Sequence, residues 1–133
     1  MSPDEIEVLD ANSAFYAAFA GRDLAALERL WARGHPVACV HPGWAALRGR
    51  DEVMASWAAI LAGEAPVVRC TAATAHVAGA AAFVVCQERI PGGPALVATN
   101  VFVREDGRWR ICHHHSGPVF REGDEEPVPE ASA

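Results

Sequence analysis

No stretch of this 133-residue sequence concentrates positive charge, and no basic run is interleaved with aromatic residues. With a net charge of −6, that argues against nucleic acid or an anionic membrane as partner. No apolar run is long enough to cross a bilayer. The N-terminal segment MSPDEIEVLD carries acids where an export signal would carry bases, so a cytoplasmic location is expected. Cysteine is sparse. Cys39, Cys70, Cys86 and Cys112 show no CxxC spacing of the zinc or redox kind. All four fall in strand-like segments and read as reduced core residues. Internal repeats are absent, and nothing marks a second domain.

What is present is a core. Hydrophobic residues make up 51% of the chain, enough for one globular domain. Pro3 to Ala20 reads as a helix, with Ser2 as N-cap and acids in the first turn. Ile6, Leu9, Ser13, Tyr16 and Ala20 form its expected stripe, with Val8, Phe15 and Phe19 close by. Asp23 caps a second helix over Leu24 to Ala32. Val37 to His41 is a short strand stopped by Pro42-Gly43. A third helix lies within LRGRDEVMASWAAILAG, burying Val53, Met54, Trp57, Ile60 and Leu61. From Pro66 onward the pattern is β: Val67–Val77, Ala81–Ile90, Ala95–Arg104 and Arg108–Pro118, joined by AGA, PGGP and EDG turns. The acidic segment after residue 120 reads as a disordered tail. Helices grouped ahead of a strand meander indicate an α+β fold, with a curved sheet and a pocket between the layers.

The segments AFAGRDLAALERLWA, VACVHPGWAALRGRDEVMASWAAIL and ALVATNVFVREDGRWRICHHHSGPV, in that order, resemble the NTF2-like superfamily. Within it they are most similar to the SnoaL-like and ketosteroid-isomerase-like branch. The resemblance implies a cone of three N-terminal helices on a strongly curved, mostly antiparallel sheet, and commonly a homodimer packed sheet to sheet. It also implies a site. In the isomerases a base Asp sits in a DP-G element after the first strand; here HPG puts His41 there. The second acid of that family falls on Asn100. The oxyanion-hole Tyr falls on Phe15, one residue from Tyr16. Both acids are missing from their places, which counts against steroid isomerisation itself and leaves another proton transfer open.

The run His113-His114-His115 is divided by strand alternation. An EDG hairpin pairing Asn100 with His113, Phe102 with Ile111 and Ala98 with His115 puts Trp109, Ile111, His113 and His115 on the inner face. It leaves Cys112, His114 and Ser116 outside, with Val97, Thr99, Val101 and Val103. Trp44, Trp57, Phe102 and His115 would then line the pocket with Tyr16. Glu88 falls outside by alternation, as a surface residue, an ion-pair partner of Arg110 or Arg48, or a site acid re-aimed by a bulge.

The expected function is binding of a small, apolar, carbonyl-containing molecule. A proton transfer of isomerase or lyase type would use His41 as base and Asn100 with His113 around the developing oxyanion. The alternative is a non-catalytic dimeric binding or interaction module. No cofactor is expected. A metal held by His41, His113, His115 and Glu88 is a rival with no diagnostic spacing.

Overall fold

The computed structural model describes residues 1–121; the expected tail lies outside them. Helices α1 (Pro3–Ala20), α2 (Leu24–Leu30) and α3 (Arg50–Ala62) pack on six strands: β1 (Ala38–Val40), β2 (Leu47–Arg48), β3 (Arg69–Ala78), β4 (Ala81–Arg89), β5 (Leu96–Glu105) and β6 (Arg108–Pro118). The sheet order is β2-β1-β6-β5-β4-β3. Every pairing is antiparallel except β1 with β6, which is parallel.

The ends of α1 follow from its sequence. Ser2 Oγ accepts from the Glu5 amide at 3.1 Å, and the Glu5 carboxylate takes the Ser2 amide in return. Its buried face is Val8, Asn12, Phe15, Tyr16 and Ala18, whereas Ile6 is 46% exposed. The helix is thus rotated from the expected stripe, and a polar Asn12 sits at its centre.

Helix α2 is shorter than the sequence suggests. Trp31 leaves it to form a parallel bridge to Ile111, and the Ala32 amide donates to the Ile111 carbonyl at 2.8 Å. The Arg50 guanidinium takes up the carbonyls left over at this end, Glu28 at 2.6 Å, Trp31 at 2.9 Å and Ala32 at 3.1 Å. Strand β2 was not expected. It pairs with β1 in the segment assigned to the start of α3. Gly49, at φ +85°, then makes the turn into that helix.

Two bulges set the phase of the sheet. One separates Thr71 from Thr74 in β3. The other lies in β6: Ile111 faces Phe102, but the next pair is His113 with Val101, so Cys112 has no opposite number. Before it, Trp109 and Ile111 point into the core. After it, His114 and Ser116 do.

Phe15 is wholly buried at the middle of the core, its ring centroid 5.0 Å from Tyr16, 5.5 Å from Trp57, 5.1 Å from His114 and 6.5 Å from Trp31. Replacing Phe15 by Ala removes the ring that separates helices from sheet. Denaturant unfolding should show a loss of about 3–5 kcal/mol; a loss below about 1 kcal/mol would contradict this packing.

Candidate functional site

Inside the cone, α1, β4, β5 and β6 each contribute polar groups to one buried network. Asn100 comes from β5, with no exposed surface. Its Oδ1 lies 2.6 Å from His114 Nδ1, and its Nδ2 donates to Asn12 Oδ1 at 2.9 Å and Tyr16 Oη at 3.1 Å. The amide oxygen can only accept, so His114 carries its proton on Nδ1. The Tyr16 hydroxyl donates to Glu88 Oε2 at 2.7 Å, and Ser116 donates to Glu88 Oε1. The unprotonated Nε2 of His114 faces Glu88 Oε2 across 4.0 Å. Cys86 Sγ lies 3.3 Å from Tyr16 Oη, and Asn12 Nδ2 reaches Cys70 Sγ at 3.6 Å.

His41 approaches from the other side. It is 4% exposed, with Nε2 2.9 Å from Ser56 Oγ. The Ser56 hydroxyl is committed to the Val53 carbonyl at 2.7 Å, so Nε2 must be the donor and Nδ1 holds the lone pair. Trp57 and Trp44 meet the His41 ring edge-on, at 4.8 Å and 4.9 Å between centroids, and His114 follows at 6.2 Å. Trp44 is 47% exposed and marks the rim. Beside it, Trp44, Ile60 and Pro66 line an apolar depression of about 340 Å³. The Trp57 indole N–H is buried without a hydrogen-bond partner among the described residues.

Burial sets the protonation states. It pushes His41 down to about 4. Burial pushes His114 down to about 3, helped by repulsion from His41, His113 and His115. The Glu88 carboxyl is raised by burial, against the pull of Ser116 and Tyr16. Tyr16 is raised by burial and then by Glu88 and Cys86.

Several expectations are corrected here. His113 and His115 lie on the outer side of the sheet; His113 Nδ1 sits 3.0 Å from the Ala38 carbonyl, and His115 is exposed. His114 is the inward member of the run. The cause is the bulge at Cys112, which shifts alternation by one residue. The expected Asn100–His113 and Ala98–His115 pairs are Asn100–His114 and Ala98–Ser116. Glu88 is on the inner face with no bulge in its own strand, in phase with Ala82, Val84 and Cys86. Its partners are Tyr16 and Ser116, not Arg48 or Arg110. Tyr16 points into the cone, as Phe15 does. Phe102 is buried core. The rival metal set is divided between two faces, with His41 and Glu88 inside and His113 and His115 outside. Asn12, Ser56, His114 and Ser116 were not picked out as site residues; an Asn amid the apolar positions of α1 was the signal for the first.

The two depressed histidines bind protons in the unfolded chain from about pH 6.5 downward, while the fold keeps them neutral until about 4 and 3. Their stabilisation is therefore complete above pH 6.5 and is lost as pH falls. Each should lose about 2 kcal/mol between pH 7 and pH 5. The raised Glu88 acts oppositely, since its burial cost is relieved on protonation. The thermal midpoint should fall from pH 7 to pH 5, and more steeply in Glu88→Gln; a midpoint that rises on acidification would contradict these assignments.

Comparison with known proteins places the chain. The SnoaL-like domain model matches residues 8–120. A crystal structure of a candidate dehydratase of the NTF2-like family from Streptomyces avermitilis is 39% identical, covering 89% of this chain and 97% of that one, with a TM-score of 0.79. A candidate calcium/calmodulin-dependent protein kinase type II association domain from Thiobacillus denitrificans is 35% identical, covering 82% of this chain and 92% of that one, with a TM-score of 0.73. The F-box protein SKIP8 of Arabidopsis thaliana is 30% identical over 116 residues, 85% of this chain; the chain spans 50% of that relative's length. Among the described residues, no helix is long and apolar enough to cross a membrane. With the fold, the order of its elements and the domain match in agreement, the chain belongs to the SnoaL-like family of NTF2-like proteins.

Proposed function

We propose that this SnoaL-like domain takes a small, largely apolar carbonyl compound into its cone and moves a proton on it, as an isomerase or a lyase of the dehydratase kind does. The observation that carries the reading is Glu88, a buried carboxyl with a raised pKa, held at 2.7 Å by the Tyr16 hydroxyl. A carboxyl whose pKa is raised by burial holds its proton more tightly and can serve as a proton donor. His41 supplies the complementary group. Its Nδ1 lone pair meets only the weak thiol donor of Cys39, at 3.9 Å, and its depressed pKa keeps it unprotonated at neutral pH.

In this reading His41 removes a proton from the carbon next to the carbonyl. On substrate entry the Tyr16 hydroxyl leaves Glu88 and turns to the charge that gathers on oxygen, and the unpaired Trp57 N–H is a further donor. If a hydroxyl group leaves, Glu88 protonates it to water. A base with a pKa near 4 is weak, so the substrate must present an acidic proton, one activated by its own carbonyl. The candidate dehydratase from Streptomyces avermitilis supports this chemistry.

Deuterium uptake at the α-carbon of cyclohexanone, and water loss from 3-hydroxycyclohexanone, are the measurements. The wild type should accelerate at least one of them. Glu88→Gln and His41→Asn should each lower the rate by about 10²–10⁴-fold. No acceleration by the wild type, or none lost in either variant, would leave the second reading, a non-catalytic module. The network around Asn100 favours that second reading, because its polar groups are satisfied by one another. So does the likeness to a candidate association domain.

Either reading includes a homodimer through the outer sheet face. Phe83 (41% exposed), Val85 (36%) and Val97 (43%) lie there, and His76 stacks on Phe83 at 4.7 Å. A second copy would cover them. Sedimentation at micromolar concentration should give a dimer and Val97→Asp a monomer; a monomeric wild type would remove the idea.

A further inference from the structure

Every cationic side chain in this sequence is arginine: the 11 basic residues include no lysine. Four of them, Arg29, Arg33, Arg108 and Arg110, line one cleft of about 410 Å³ on the outer side of α2, with Leu30 and Trp109 as its apolar wall. Among the described residues no acid lines this cleft. In a chain of net charge −6, such a concentration of one sign runs against the average.

Among the described residues the acids Glu105 and Asp106 border the adjoining depression with Arg33 and Arg110 rather than this cleft. Glu105 is committed elsewhere, accepting from the amides of Arg33 at 2.9 Å and Gly34 at 2.8 Å and lying 2.7 Å from His35 Nδ1. Asp4 and Glu7 pair with Arg104, which lies over the Trp109 ring at 4.5 Å. Of the four guanidinium groups, only that of Arg110 has a hydrogen-bond partner among the described residues, the carbonyl of Arg29. The α2 carbonyls, which could explain arginines here, are already capped by Arg50 and Arg110. The pKa of Arg50 is itself lowered, by burial first and then by Arg33, against the opposing pull of Glu28 and Glu105, with Arg110 adding to the lowering. The Trp109 indole N–H, in the wall, also lacks a partner among the described residues.

Uncompensated like charges around a concavity cost stability until an anion enters. Guanidinium forks fit tetrahedral oxyanions in a bidentate way. The geometry points to a binding site for a multiply charged phosphoryl anion in the cleft between α2 and the start of β6, separate from the interior of the cone. The bound group accepts from Arg29, Arg33 and Arg108, and an organic portion rests on Leu30 and Trp109.

Titration calorimetry with pyrophosphate and with glycerol phosphate, at about 0.15 M salt to screen non-specific attraction, tests it. Saturable binding of either is expected. Tighter pyrophosphate assigns inorganic polyphosphate, and tighter glycerol phosphate assigns a phosphorylated organic compound. The double variant Arg29→Gln/Arg33→Gln should weaken binding at least tenfold, and so should Arg108→Gln alone, which guards against a local distortion. Glu88→Gln should leave binding unchanged, so this test stands apart from that of the cone. Binding of neither anion beyond the effect of sodium chloride at equal ionic strength would overturn the site, as would equal binding by the arginine variants.

Discussion

One extra residue governs the interior of this protein. Cys112 has no partner across the β5–β6 pair, and the strand's alternation restarts after it. Without that shift, Trp109 and Ile111 could not share a face with His114 and Ser116. The large side chains would still seal the wide end of the cone, but His113 and His115 would replace the groups that now hold Asn100 and Glu88. The bulge therefore joins an apolar half of β6 to a polar half. It also re-aims the strand where the sheet curves toward β1, the position at which bulges commonly sit in closed or strongly bent sheets.

The polar half demands strict accounting. A buried amide, imidazole and carboxyl are each costly unless paired. Here each donor meets an acceptor from another element: Asn12 from α1, Asn100 from β5, His114 and Ser116 from β6, Glu88 from β4. Such a network specifies one arrangement of helix against sheet, because a slipped strand would orphan several groups at once. It also raises the pKa of the Glu88 carboxyl and lowers that of the His114 imidazole, both through burial. The same arrangement that fixes the packing is the one on which the proposed proton transfer draws.

Much of the architecture could be read from the sequence because it rests on local signals. Ser2, Pro3 and Asp23 mark helix starts, and the AGA and EDG turns mark hairpins. His41 and Asn100 were found through family resemblance, and both lie inside the cone. The histidine run failed for a specific reason. Alternation is a counting argument, and a single uncounted residue reverses everything downstream of it. Nothing about Cys112 announces a bulge, since the residue there is ordinary and the strain is shared with the curvature of the sheet. Glu88 was misplaced for a related reason: β4 meets β5 across the long PGGP loop, and the tight AGA turn on its other side leads to a β3 that carries a bulge of its own. Helix α1 carried a weaker error: with many alanines, its periodicity left the buried face undetermined by about one residue, and Asn12 went unnoticed.

The position of β6 has a consequence for how the molecule is made. The last of the described strands lies in the middle of the sheet, between β1 and β5, and is the one that Trp31 and Ala32 join. A chain leaving the ribosome completes α1, α2, β1 and α3 long before the surface they cover exists. Until residues 108–118 emerge, β1 has no neighbour but the two-residue β2, and Phe15 and Trp57 have no ceiling. Such long-range pairing is slow to form, and it leaves apolar surface open in the meantime. The packing of the N-terminal half is thus tied to the arrival of residues 108–118.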